Sequence, residues 1–408
     1  MVLALAPALP LAAQHRMQIG VDTATWASWS GQLRLRGEEW NGFGAGAPAG
    51  ADHDDSFMLS RLLLRGEIRW KGTVSVVAEA KSAVAVSRDL PGGRRAADED
   101  VADVQQLYAE LRGSPLGLRS AVRVGRQELA FGRERLVSPL DWSNTRRTFQ
   151  GASASIGWRG VEWRPFWVEP VTIRRRKPNT VDSTRQLYGV YATRASGRTV
   201  GDVYWLRHEA PMSDRRHTIG TRIQRRPAAG SFDMDVEVAG QSGASGGADV
   251  SSYMIGAQIG RSFRGTAAPR VYLGFDAADD EFLQLYPLGH AYLGYIDVHG
   301  RRNVIAFNAG LSVQPVRATT MQLDVHHFRR ASVASGLYGT DGALARAPGA
   351  ATSKTFGSEI DLTVRRAVLR NRIVVQAGAS RYFAGAFFEQ TGPARDITWV
   401  YAQLTAAL

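Results

Sequence analysis

The feature that most constrains this chain is a period-two alternation of apolar and polar residues, sustained over segments longer than the strands of a soluble sheet. In residues 61–70 (RLLLRGEIRW), Leu62, Leu64, Ile68 and Trp70 share one face, while Arg61, Arg65, Glu67 and Arg69 share the other. Residues 231–239 set Phe232, Met234, Val236 and Val238 against Asp233, Asp235 and Glu237. Residues 359–365 set Ile360, Leu362 and Val364 against Glu359, Asp361, Thr363 and Arg365. The alternating segments run 10–14 residues. Ten residues at about 3.3 Å each, tilted by about 40°, rise roughly 25 Å, the height of the apolar band of a membrane barrel. The strands of a soluble sandwich average about five or six residues, so length selects the barrel.

Eighteen such segments are readable: 31–40, 57–70, 72–82, 101–112, 119–132, 148–159, 160–171, 185–196, 198–209, 215–226, 230–242, 249–262, 269–278, 301–314, 318–330, 354–366, 371–383 and 395–408. An even count is what a single-chain bacterial barrel requires. Connections after even-numbered strands are mostly short, and those after odd-numbered strands are mostly long, as in 41–56, 88–100, 133–147, 277–300 and 331–353. A sandwich has no reason to sort its loops by parity. The expected fold is all-β: an 18-stranded antiparallel transmembrane β-barrel with short periplasmic turns and long extracellular loops.

The N-terminus points to the same compartment. Residues 2–13 (VLALAPALPLAA) are apolar and end in small residues, like the h-region and cleavage site of a secretory signal, although no basic n-region precedes them. Residues 1–13 are therefore read as a partial signal peptide and residues 14–408 as one barrel domain. No run of about 18 apolar residues occurs, which excludes helical spans, and a mean hydropathy of −0.21 suits strands with one wet face. Only four of the 50 basic residues are lysine, and the arginines behind the formal charge of +12 are spread along the whole chain. That distribution points to an anionic solute or membrane surface and away from nucleic acid. Cysteine is absent, which excludes disulfides, thiolate metal sites and cysteine nucleophiles.

Two segments resemble hallmarks of the alginate-export outer-membrane porins: residues 125–152 (GRQELAFGRERLVSPLDWSNTRRTFQGA) and 285–297 (LYPLGHAYLGYID). The order of features is similar to that family along nearly the whole chain after residue 13. The resemblance implies an eighteen-stranded barrel with an electropositive, arginine-lined constriction, through which an anionic uronic-acid polysaccharide such as alginate leaves the periplasm. Its partners would be outer-membrane lipid and lipopolysaccharide, together with periplasmic secretion-complex proteins that deliver polymer; it needs no cofactor. The chain ends in Leu408, where such barrels commonly end in an aromatic residue. A substrate-selective uptake porin for small anionic nutrients is the alternative, because a passive pore has no intrinsic direction.

Alternation sends Arg34 and Arg36 of the first strand, Arg61, Arg65 and Arg69 of the second, Arg222 of the tenth, and Arg365 and Arg372 of the sixteenth and seventeenth into the lumen. Arginine stays charged, and its planar fork takes a carboxylate at two points. The plainer alternative is that these residues pair with Glu67, Glu359 and Asp361 to stiffen the wall. Asp233, Asp235 and Glu237 on the eleventh strand are expected opposite the second, giving either a transverse field or a solvated acidic patch. In the fifth strand, unbroken alternation through Val122 and Val124 would turn Arg126 and Glu128 toward lipid, at roughly 2–4 kcal/mol for a midplane arginine. A bulge near Gly125 is therefore expected, turning Arg126 and Glu128 inward and Leu129 and Phe131 outward.

Arg146 and Arg147 are expected to add charge at the outer mouth. The 277–300 connection, with Tyr286, His290, Tyr292 and Tyr295, is long enough to fold back into the barrel, where its aromatics either stack on sugar rings or pack the loop. Asp52, Asp54 and Asp55 read as a solvated acidic loop or a divalent-cation site. His326 and His327 point to opposite faces of one strand and cannot chelate one metal together. No nucleophile elbow, zinc-protease helix, phosphate loop or dinucleotide fingerprint is present, so the chain reads as a channel, not an enzyme.

Overall fold

The computed structural model describes residues 15–19, 22–43, 54–89 and 93–408. The signal-peptide expectation and Asp52 lie outside the described residues. Eighteen long strands form the wall: β1 (Trp26–Asn41), β2 (Asp55–Trp70), β3 (Val74–Val86), β4 (Asp100–Gly113), β5 (Ser120–Gln127), β6 (Phe149–Trp158), β7 (Val161–Thr172), β8 (Gln186–Ser196) and β9 (Thr199–Ala210). They continue as β10 (Asp214–Arg225), β11 (Phe232–Ser245), β12 (Ala248–Ser262), β13 (Arg270–Ala278), β14 (Val304–Val313), β15 (Thr319–Arg329), β16 (Thr355–Val368), β17 (Ile373–Ala384) and β18 (Ile397–Ala407). Each pairs antiparallel with the next. β1 and β18 close the barrel from Gln32↔Ala407 to Asn41↔Thr398, and Leu408 finishes the seam by exchanging backbone hydrogen bonds with Gly31. No described helix is long and apolar enough to cross a membrane.

The alternation is expressed as two different surfaces. On β2, Arg61 is 1% exposed, whereas Ile68 on the other face is 58% exposed. The outside carries Trp29, Trp70, Trp158, Trp167 and Tyr253, aromatics of the kind that sit at membrane interfaces. Loop length follows parity. Residues 71–73 and 159–160 make tight turns on one rim, and residues 128–148, 279–303 and 330–354 make long excursions on the other. Two connections on the long-loop rim are short, residues 211–213 and Gly246-Gly247; both glycines of the latter have positive φ, as a two-residue hairpin demands.

Inside the wall, tyrosines lie flat over glycines directly across the ladder. Tyr204 faces Gly220 and Tyr272 faces Gly310; a Cβ on either glycine would come within 2.3 Å or less of ring atoms. The glycine makes room for a ring that lies along the wall instead of projecting across the bore.

The fifth strand departs from expectation. Pairing runs unbroken through Gly125, with Tyr108↔Gly125 on one side and Gly125↔Gly151 on the other, so no bulge occurs there. The irregularity is one strand away, where Glu79 faces Gln106 and Ala80 faces Val104, leaving Gln105 extra. β5 ends at Gln127, and residues 128–132, expected to continue it, leave the wall. Leu129 and Phe131, expected on the lipid face, are 6% and 7% exposed. Phe131 stacks inside on Tyr191, with centroids 4.9 Å apart.

The low ends of β5 and β6 leave a notch in the wall, which residues 173–182 cover. Their Thr180–Val181 segment pairs with the end of β7, and the Val101 N–H at the top of β4 donates to Arg175 O at 2.9 Å. Arg126 points into this cover. Asp103 at 3.1 Å and the carbonyls of Val104 at 3.0 Å and Asn179 at 3.4 Å hold it. The outward arginine is thus kept from lipid by a loop, not by a bulge.

Candidate functional site

The functional region is the bore, and two loops shape it. Residues 128–148 and 279–303 carry Phe131, Leu136, Val137, Phe282, Leu293 and Ile296, all buried. Loops this apolar gain more from the barrel interior than from water, and both fold inward. They zip together: Tyr286 N–H donates to Leu136 O at 2.9 Å, Ser138 N–H to Tyr286 O at 2.9 Å, and Leu288 N–H to Glu134 O at 2.9 Å. Arg147 donates to the carbonyls of Ser138 at 3.1 Å and Tyr286 at 2.7 Å; burial draws its guanidinium down to about 10.

The tip of the first loop, Asp141 to Ser143, rests on the arginines of β1 and β2. Arg34 donates to Asp141 O at 2.8 Å and Ser143 O at 2.6 Å, and Arg36 to Trp142 O at 2.9 Å. Arg61 donates to Asp141 O at 2.9 Å, Ser143 O at 3.1 Å and the Asp141 carboxylate at 2.8 Å. Arg146 pairs with the same carboxylate and with Glu128 at 2.5 Å. Burial alone would raise the Asp141 carboxyl, but Arg146, Arg61 and Arg34 outweigh it and hold the group well below the usual carboxylate range. These arginines form a latch on a loop. Arg146 and Arg147 sit inside the barrel, not at the outer mouth, because the segment that carries them turns inward.

In the second loop, His290 is stacked between Trp142, 3.9 Å away, and Tyr295, 4.6 Å away, and pairs with Asp297 at 3.1 Å. Tyr292 donates to Arg133 O and lies 4.3 Å under the Arg135 guanidinium. Tyr286 packs edge-on against Phe149.

The acidic residues of β11 are compensated, not open. Asp233 holds Arg270 at 2.6 Å, Asp235 holds Arg135 at 2.5 Å and Arg222 at 2.7 Å, and Glu237 holds Arg135 at 3.2 Å. A transverse field between an acidic and a basic wall is therefore not what this arrangement builds. Of the carboxylates expected to anchor wall arginines, Glu67 holds Arg69 at 2.8 Å and Arg65 at 3.9 Å. Glu359 instead accepts from Ile296 N–H of the second loop at 2.9 Å, and Asp361 lies 3.5 Å from His326. His327 points the other way, to Ser358 on the outside. Arg372 is exposed in the turn before β17 and does not reach the lumen. Asp54 accepts from Asn41 and Gly42 at 2.9 Å, and Asp55 lies 3.6 Å from Arg88.

Between the inward loops and the short-turn rim lies a cavity of 660 Å³, lined by nine arginines and five carboxylates; Arg65, Arg123, Arg135 and Arg270 pair with further carboxylates just outside the lining. Arg65, Arg123, Arg133 and Arg365 face it alongside Tyr292, Tyr295, Gln376 and Gln403. Arg133 and Arg365 make no ion pair among the described residues. Arg123, Arg133, Arg135, Arg270 and Arg301 are lumenal residues that strand parity did not single out. One signal was available: segment 129–137 (LAFGRERLV) is too apolar for a solvated loop, so its arginines travel inward with it.

A closed eighteen-strand antiparallel barrel with an apolar belt, short turns on one rim, and a charged bore shaped by inward loops defines an outer-membrane porin of the bacterial outer membrane. Within that class the chain belongs to the alginate-export family, which matches residues 25–400. No curated protein matches it. Among solved structures it is similar to Pseudomonas aeruginosa OpdO, with a TM-score of 0.64 and 16% identity over 93% of this chain and 97% of that one. OpdK of the same organism, solved with vanillate, gives a TM-score of 0.63 and 13% identity over 93% and 98%. OccK11 (OpdR) gives 0.61 and 14% over 93% and 96%. At these identities the likeness is one of fold. Family and fold are those of porin channels.

Proposed function

We propose that this porin is an anion-preferring channel that passes an anionic, uronic-acid polysaccharide such as alginate from periplasm to exterior. The observation that carries the reading is that two arginines facing the inner cavity, Arg133 and Arg365, make no ion pair among the described residues. Each uronate presents a carboxylate that a guanidinium fork can take at two points. Arg65, Arg133 and Arg365 supply separate stations around one chamber. Several weak stations let a polyanion advance without being trapped. Arg34, Arg36 and Arg61 act on the solute indirectly in this reading: they hold the 128–148 loop, and a polymer passes only when that loop lifts.

A second reading, uptake of small anionic nutrients, draws support from the same latch. A chamber of 660 Å³ lined by tied loops has the size of a small-molecule site. Planar-bilayer conductance under a salt gradient, with mannuronate and guluronate oligomers added, tests both. Reversal toward the anion potential, with block by the oligomers that strengthens with chain length, supports the polysaccharide. Block by monomeric carboxylates alone supports uptake. Cation-preferring conductance that neither touches removes both.

A further inference from the structure

Outside the bore, the loop that covers the wall notch carries the run Arg174-Arg175-Arg176-Lys177, a basic cluster that channel function leaves unused. All four side chains are exposed. The segment that bears them is nonetheless built. Lys177 N–H donates to Arg174 O at 2.7 Å, closing a turn. Arg174 N–H donates to Asn179 Oδ1 at 2.7 Å, and the buried Asn179 amide donates to Asp100 at 2.7 Å. Arg175 reaches Arg94 O at 2.7 Å. A single carboxylate, Glu99, serves both Arg94 at 3.2 Å and Arg176 at 3.0 Å, while Arg174 and Lys177 make no ion pair among the described residues.

Directly beside this cluster lies a dent of 530 Å³ on the outer wall, floored by Val84, Val86, Val101 and Ala102 and rimmed by Arg94, Arg176 and Lys177, with Glu99 between the two arginines. The floor residues belong to the ends of β3 and β4 on the long-loop rim, so the dent sits in the outer leaflet with its cations above it. The geometry points to a docking site for the phosphorylated glycolipid of that leaflet: acyl chains on the valines, lipid A phosphates among Arg176, Lys177 and Arg174. A soluble polyanion would gain nothing from the valine floor, and an uncharged lipid nothing from the basic rim. The turn that seals the notch is thereby held from outside by the lipid and from inside by Asn179.

The test is titration of the delipidated, folded protein with bisphosphorylated lipid A, with the same lipid A after phosphate removal, and with phosphatidylglycerol, read by native mass spectrometry. Wild type is expected to bind the bisphosphorylated form at least tenfold more tightly than either of the others. Arg176→Gln with Lys177→Gln should lower that affinity by roughly 30-fold, since each basic residue near an anionic lipid surface contributes about 1 kcal/mol and about 1.4 kcal/mol is tenfold. Heat-modified gel mobility reports folding. Should the double variant fail to fold, Arg174→Gln with Lys177→Gln decides, because neither side chain makes an ion pair among the described residues. Equal binding of the dephosphorylated lipid, equal binding of phosphatidylglycerol, or undiminished binding by a folded variant overturns the assignment.

Discussion

Replacing Arg61 by methionine tests the latch, because it keeps most of the volume and removes every donor. Arg61 is 1% exposed and gives up hydrogen bonds to Asp141 O at 2.9 Å, Ser143 O at 3.1 Å, the Asp141 carboxylate at 2.8 Å and Gln32 Oε1 at 2.9 Å. Breaking a buried ion pair by removing one partner costs about 3–5 kcal/mol. Here Asp141 retains Arg146, and Arg34 still serves both carbonyls, which lowers the expectation to about 2–3 kcal/mol. At about 1.4 kcal/mol per tenfold, the lifted-loop population rises roughly 30- to 150-fold. Single-channel recording should show that rise as more frequent, larger openings, with little change in heat-modified mobility of the barrel. The effect should be constant between about pH 5 and 8. A carboxylate whose folded pKa is depressed contributes its stability above the ordinary carboxylate range and loses it only as pH falls through the depressed value, and Asp141 is such a group. Asp141→Asn combined with Arg61→Met should open the channel less than the sum of the single changes. Openings within twofold of wild type in a folded Arg61→Met protein would sink the latch argument.

Three further outcomes follow from the same geometry. Burial, with His326 adding, pulls His299 down to about 3, whereas an unfolded chain protonates histidine near 6.5. The folded state therefore loses stability as pH drops below about 6.5, and His299→Phe should flatten that limb of the unfolding midpoint; an unchanged slope counts against it. Gly220→Ala brings a methyl 2.3 Å from the Tyr204 ring and should cost about 1–3 kcal/mol, seen as a lower denaturation midpoint, with no shift refuting the close fit. Arg365→Gln removes a cavity charge without breaking an ion pair. A unit charge about 4 Å away is worth about 1 kcal/mol in water, so anion preference in reversal-potential measurements should fall up to about fivefold; no change places Arg365 off the conducting path.

The wall was legible because each strand writes its own faces: Ile68 and Trp70 against Arg65 and Arg69 need no distant partner to be interpreted. The bore was not, because its contents arrive from loops. In residues 128–132 apolar and polar residues go on alternating, but an apolar residue in a barrel can seek lipid or the interior equally well, and Leu129 and Phe131 chose the interior. Parity told which way Arg34 and Arg61 point but not what they meet, since the acceptors are backbone carbonyls about 80 to 110 residues away, which leave no mark on composition. The acidic face of β11 read as open for the same reason, its partner Arg135 being 100 residues upstream of Asp235. The bulge at Gly125 was inferred from a sound premise, that lipid rejects arginine. The chain met that premise differently, by bringing Asp103 and Asn179 to Arg126.

The loop tip that rests on β1 also touches the last strand. Trp142 lies 4.5 Å from the Arg36 guanidinium on β1, and edge-on at 5.9 Å and 5.3 Å to Trp399 and Tyr401 on β18. The tip therefore bridges, from within, the one junction where the two ends of the chain meet. Sliding β18 past β1 by two residues would keep every side chain on its proper face and lose few backbone hydrogen bonds, yet it would pull those aromatics off Trp142. The interior thus carries information the ladder lacks: which residue of the first strand meets which of the last. That register helps set the stagger of a closed barrel, and stagger sets diameter. The segment that folds into the bore is also the gauge to which the bore is cut.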